Sequence, residues 1–154
     1  MCKVLFLCAT NGLHSPMAEA MLRRLDSEHF KATSAGVTAG RMHPLTVEVL
    51  KEVGIDLGQK MPKSLQQIPD EEFDYVITLG EVAPSYQRKF SRAETVHWKF
   101  DRPSGRSIDP EKQLRQFRTV RDQILQRLRL FVLVHVRRQS PSRPAVLSMA
   151  AQPR

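Results

Sequence analysis

Cys8, Asn11, His14 and Ser15 fall within one stretch of eight residues, and Asp101 and Arg102 stand side by side much later in the chain. A thiol becomes a strong nucleophile once ionised, and it ionises most readily beside positive charge or at a helix N-terminus. Here an apolar run stops at Cys8, and an amphipathic helix is predicted to start at Ser15. Serine is a good N-cap and Pro16 suits the first helical position, so the helix amides and the positive end of its dipole should face the thiol. Such a site binds anions as well as stabilising a thiolate. The alternative for a single cysteine is a small buried hydrophobe at a strand end; the loop chemistry around Cys8 favours the thiolate.

The elements that must position these residues follow from periodicity. Val4 to Leu7 is a continuous apolar run, as expected of a central parallel strand buried on both faces. Met17, Ala18, Met21, Leu22 and Leu25 recur at helical spacing. Lys31 to Ala35 reads as a second strand ending at Gly36, and a helix from Pro44 to Val53 is closed by Gly54. One helical turn is expected around Ser64 to Gln67, a strand over Phe73 to Leu79 stopped by Gly80, a short helix over Val82 to Lys89 and a strand over Thr95 to Trp98. Lys99 to Ile108 is a loop rich in turn formers. A long helix begins at Asp109-Pro110, with an apolar stripe of Leu114, Phe117, Val120, Ile124, Leu128 and Phe131; Arg115, Arg118, Arg121 and Asp122 are expected to face away. Alternating strands and helices predict a mostly parallel sheet with helices on both faces and a ligand site at the carboxyl ends of the strands. Cys8, Gly80 and Asp101 all follow strands and should share that rim.

The 154 residues suit one domain, read as residues 1–136, followed by a basic tail over 137–154 expected to be disordered. The composition, 41% hydrophobic and 26% charged, is that of a globular protein, and no apolar run is long enough to span a membrane. A cytoplasmic location and no membrane partner are expected. Cys2 and Cys8 make no disulfide framework: at the two ends of one strand they lie about 20 Å apart. The net charge of +8 is concentrated at the C-terminus, where no acidic residue follows Asp122. A solvated basic tail accounts for it better than a nucleic-acid surface.

The stretch Leu5-Phe-Leu-Cys-Ala-Thr-Asn-Gly-Leu-His-Ser-Pro-Met-Ala-Glu19 resembles the phosphate loop of low-molecular-weight protein tyrosine phosphatases and the related arsenate reductases. His43-Pro44, Val53-Gly-Ile-Asp56, Lys63-Ser-Leu65, Asp74-Tyr-Val-Ile-Thr78, His97-Trp98 and the helix carrying Phe117 and Val120-Arg-Asp122 are most similar to the arsenate reductase branch. The resemblance covers about residues 3–130 and implies an α/β fold with a four-stranded parallel sheet flanked by helices. It implies Cys8 as nucleophile on phosphorus or arsenic, Ser15 as hydrogen-bond partner of the thiolate, and an oxyanion ringed by the amides of Ala9, Thr10, Asn11, Gly12, Leu13 and His14. Asn11 and Gly12 suit the left-handed turns of such a loop. Asn11, Glu19 and Ser34 match positions around a bound cation in several arsenate reductases, a pattern that equally describes loop-bracing hydrogen bonds; no metal site is assigned.

Three departures from the family pattern stand out. His14 replaces the arginine that forks onto two substrate oxygens, and a histidine offers one donor and only partial charge at neutral pH. Arg102 precedes Pro103 where the family has the aspartate that protonates the leaving group, and loss of such an acid costs about 100- to 10,000-fold. Asp101 is one residue away, as a displaced acid or simply a turn former. Finally, Leu79-Gly-Glu-Val-Ala-Pro-Ser85 contains no cysteine, so arsenate reduction would need an external thiol reductant. Arg102 is positioned to replace the guanidinium missing at His14. The expected function is a Cys8-dependent arsenate reductase or phosphatase, of impaired or altered activity and needing no cofactor, acting on a small oxyanion or phosphoester. The rival is a catalytically silent protein of the same fold that binds an oxyanion or a partner.

Overall fold

A computed structural model describes residues 1–69, 71–80, 82, 90–103 and 109–139. Strands β1 (Cys2–Cys8), β2 (Phe30–Gly36), β3 (Tyr75–Leu79) and β4 (Glu94–Trp98) form one parallel sheet in the order β2-β1-β3-β4. Helices α1 (His14–Leu25), α2 (Pro44–Lys51) and α3 (Pro110–Gln139) follow β1, β2 and β4 in the chain. From β1 the chain crosses to β2 on one side and then to β3 on the other, so the connections diverge at the carboxyl end of β1 and open a crevice there.

β1 is central, and Val4, Leu5, Phe6 and Leu7 are fully buried because both edges are paired and both faces covered. Alternation along the strand divides them. Val4, Phe6 and Cys8 join a cluster with Met17 and Met21 of α1, Leu50 of α2 and Phe117, Ile124 and Leu128 of α3. Leu5 and Leu7 face the other way, against Ala35, Leu65, Phe73 and Val76. Cys8 therefore emerges on the face occupied by α1 and α3.

Several boundaries moved by one or two residues. α2 ends at Lys51, and Gly54 still closes it with φ +83°, a left-handed conformation that favours glycine. β3 starts at Tyr75, since Phe73 turns into the second cluster and the Asp74 carboxylate accepts the Lys3 amide at 2.7 Å. The turn at Leu65–Gln67 is a 3-10 turn held by reciprocal bonds between Ser64 and Gln67. Of the helix expected over Val82 to Lys89, only Val82 lies within the described residues. α3 runs on to Gln139, past Val136; residues 140–154 lie outside the described part.

One expectation about α3 is corrected. Arg121 does not face away: it is 9% exposed, and its guanidinium donates to the Val49 carbonyl at 2.9 Å and to Glu52 at 2.8 Å. The C-terminal end of α2 presents a carbonyl and a carboxylate where α3 passes, and a guanidinium satisfies both. Ile124 is fully buried at the centre of the first cluster. Ile124→Ala should lower unfolding free energy by about 2–5 kcal/mol, read from urea denaturation.

Candidate active site

Residues 9–13 carry the chain from β1 into α1, and the segment after β2 clasps their carbonyls from outside. The Cys8 carbonyl accepts from Val37 N at 2.9 Å, Ala9 from Thr38 at 3.1 Å, Thr10 from Gly40 at 2.9 Å and Gly12 from His43 at 3.0 Å. Thr46 Oγ1 also donates to the Gly12 carbonyl at 3.0 Å. The amides of Ala9 to His14 donate to no protein acceptor among the described residues. A loop with carbonyls held outward and amides unspent is a cradle for an anion.

Close approach between the two segments explains two glycines. A Cβ on Gly12 would lie 2.1 Å from the Arg41 carbonyl oxygen, and one on Gly36 would lie 2.5 Å from the Thr10 carbonyl carbon. Only Asn11 in this loop has a positive φ, +58°, so the expectation of a left-handed Gly12 is corrected: that residue is glycine for space, not for handedness.

Behind the loop runs a chain of buried polar groups. Cys8 is 4% exposed, and its sulfur lies 2.8 Å from Ser15 Oγ. Asn11 Nδ2 donates to Ser15 Oγ at 2.9 Å and to Ser34 Oγ at 3.0 Å, while Asn11 Oδ1 accepts the Lys63 amide at 2.9 Å. Ser34 in turn donates to Glu19, whose buried carboxylate also meets the Lys60 ammonium and the Arg23 guanidinium. Because Asn11 already donates to it, the Ser15 hydroxyl keeps its own proton for the Cys8 sulfur or the Ala35 carbonyl, which is 3.4 Å away. The shorter contact is with sulfur, and a thiolate is the stronger acceptor.

Ser15 is accordingly not the N-cap. The helix starts at His14, Leu13 holds the cap position, and among the described residues no side chain caps the first amides. The Ser15 hydroxyl faces Cys8 and the Ala35 carbonyl instead of the helix amides, and no acidic residue in the first turn offsets the dipole facing the thiol. Asn11, Glu19 and Ser34, the three matched to a cation position, are here joined by direct hydrogen bonds.

Cys8, Ala9, Thr10, Leu13 and His14 form one wall of a cavity of about 260 Å³, closed opposite by Lys99, Phe100, Asp101 and Arg102. His14 is buried, ring-stacked with Phe100 at 6.4 Å, with Nε2 3.4 Å from the Asp101 carbonyl. Burial pushes its pKa down from the ordinary imidazole value, the Asp101 carbonyl partly opposing and the Arg102 charge adding to the depression. The ring is neutral at pH 7. Asp101 meets His14 through its carbonyl, and Asp101 and Arg102 are both exposed. The sequence reading did not single out Lys99, Phe100, Thr46 or Lys60, which reach the site from distant segments and carry no local motif. A cavity of about 410 Å³ lined by Leu65, Phe73 and Phe90 includes neither cysteine.

Fold and site together define an α/β protein of the low-molecular-weight phosphatase type, with a cysteine at the floor of an amide loop. The chain belongs to the low molecular weight phosphotyrosine protein phosphatase family, whose model matches residues 3–142. It is 33% identical over 129 residues to an arsenate reductase of Halalkalibacterium halodurans, covering 83% of this chain and 93% of that protein. It is 32% identical over 129 residues to the Bacillus subtilis arsenate reductase, with the same coverage. A glutaredoxin arsenate reductase of Synechocystis is 30% identical over 127 residues, covering 82% and 92%. Among solved structures, an arsenate reductase in the phosphate-binding state aligns with a TM-score of 0.70 at 29% identity, over 86% of this chain and 98% of that one.

His14 gives a pH prediction. Its folded pKa lies below the unfolded value of about 6.5, so the unfolded chain binds the proton first and stability falls as pH drops below that value. The urea midpoint should decrease on acidification below about pH 6.5, and His14→Gln should remove part of that slope. His43 and His135, also depressed by burial, add to the slope, and Glu52, held below the usual carboxylate range by Arg118 and Arg121, adds to it at lower pH.

Proposed function

We propose that the chain is a thiol-dependent arsenate reductase in which the Cys8 thiolate attacks arsenate held by the amides of Ala9, Thr10, Asn11, Gly12, Leu13 and His14 and by Arg102. The observation that carries this is the Cys8 sulfur 2.8 Å from Ser15 Oγ, beneath a helix N-terminus and a run of unspent amides. Ser15 donates to the thiolate, and Arg102 supplies the full charge that neutral His14 lacks. The names of the relatives point to arsenate, and so does the acid position. Arsenate exchanges its oxygens more readily than a phosphoester cleaves, so attack on arsenic depends less on a strong proton donor. Asp101 is the one carboxylate on the cavity wall among the described residues and the remaining candidate for protonating the departing oxygen.

A second reading, oxyanion binding without turnover, is favoured by one observation: His14, at the mouth of the loop, is buried, which favours its neutral form, and is turned to the Asp101 carbonyl. Turnover of arsenate and of an aryl phosphate with dithiothreitol separates the two. Wild type should reduce arsenate slowly, and Cys8→Ser should abolish the activity. Arg102→Ala should weaken phosphate and arsenate affinity by about tenfold, and His14→Arg should strengthen it by a similar factor. A silent wild type that gains turnover as His14→Arg identifies a binder, and unchanged affinity in Arg102→Ala removes the clamp.

A further inference from the structure

Asp101 and Arg102 have a second cavity on their far side. It measures about 500 Å³ and is bounded by Pro103 and by Lys112, Arg115 and Thr119 on the first turns of α3. The two cavities share the Asp101 and Arg102 wall. Arg102, Lys112 and Arg115 are exposed, and among the described residues none is paired with a carboxylate. The next two cations of the same helix behave otherwise: Arg118 sits on Glu52, and Arg121 on Glu52 and Asp122. Lys112 and Arg115 are three residues apart, neighbours on one helix face. Lys112 and Arg115, with no carboxylate partner among the described residues, outnumber the one carboxylate on the wall, that of Asp101, and make the second cavity attractive to an anion; Arg102 divides it from the cavity that holds Cys8.

The chemistry of Cys8 says which anion is needed there. Cys2, the only other cysteine, lies at the opposite end of the same strand, is buried, and its thiol is pushed up to about 11, chiefly by burial. It cannot resolve an oxidised Cys8. Building on the arsenate reading above, we infer that the cavity at Lys112 and Arg115, on the far side of Arg102, is the subsite for a small thiol co-substrate that carries carboxylates. A cavity of this volume accommodates a ligand of about tripeptide size.

The steps balance. The Cys8 thiolate forms an S–As bond as one arsenate oxygen leaves as water. The co-substrate thiolate attacks the Cys8 sulfur, and the S–As electron pair departs with arsenic, giving arsenite and a Cys8 mixed disulfide. A second co-substrate thiolate attacks the co-substrate sulfur of that disulfide and releases the Cys8 thiolate. Two thiols supply the two electrons and two protons and leave as their disulfide.

Glutathione, dithiothreitol and the thiol-blocked S-methylglutathione are suitable probes. In Lys112→Glu/Arg115→Glu the KM for glutathione should rise by about tenfold, while that for uncharged dithiothreitol changes by less than about twofold. S-methylglutathione should shift the amide resonances around Lys112 and Arg115 saturably in wild type and not in the variant. Binding lost on charge reversal supports the subsite even if arsenate is not turned over, in which case only the reductase reading fails. Turnover with dithiothreitol but no saturable S-methylglutathione binding retains the reductase reading and overturns the subsite. Equal binding by wild type and variant overturns it as well.

Discussion

The Asn11 carboxamide holds the structure of the site together. It is fully buried, so every donor and acceptor it leaves unpaired would cost the desolvation of that group, about 1–3 kcal/mol. None is wasted: the amide nitrogen serves Ser15 and Ser34, and the oxygen takes the Lys63 amide. One side chain thereby ties the nucleophile loop to the N-terminal turn of α1, to β2 and to the segment before the 3-10 turn. Its left-handed backbone bends the loop at the same residue. Substituents that prefer right-handed backbone, or lack either end of the amide, cannot meet both requirements.

Charge is placed by the same economy of partners. Glu19 is buried and ionisable, which is tolerable only because Lys60 and Arg23 approach it from two segments and Ser34 bonds it directly. The loop itself holds no charged side chain, since burial favours the neutral imidazole of His14, and positive potential at Cys8 comes from amides, the uncapped α1 terminus and the rim cations Lys99 and Arg102. That arrangement favours an anion in the cavity while keeping the interior free of an unpaired cation. A buried arginine at position 14 would bind an oxyanion harder, but it would need such a ligand or another acceptor to be comfortable when the site is empty.

Much of this was legible along the chain. The apolar run at Val4 to Leu7 could only be a strand covered on both faces, and helical spacing from Met17 to Leu25 and from Leu114 to Phe131 placed the elements that cover one of them. The cysteine between strand and helix, followed by Asn11, Gly12 and Ser15, located the site. Local propensity misled where a tertiary partner claimed the side chain. Ser15 has the chemistry of a cap, but Cys8 and Asn11 use its hydroxyl; Arg121 sits among surface charges in sequence, but a carbonyl and a carboxylate of α2 bury it.

The sequence by itself determined the order of strands and helices, the position of the thiol at a strand end and the absence of a second cysteine near it, because these depend on periodicity and on residue identity. Only the tertiary structure decided that the segment after β2 pins the loop carbonyls and frees its amides, that Gly12 is required by the Arg41 carbonyl, and that Arg102 forms a wall between two cavities. Those facts depend on the meeting of segments about thirty to ninety residues apart, and neither propensity nor spacing along a chain carries the geometry of such an encounter.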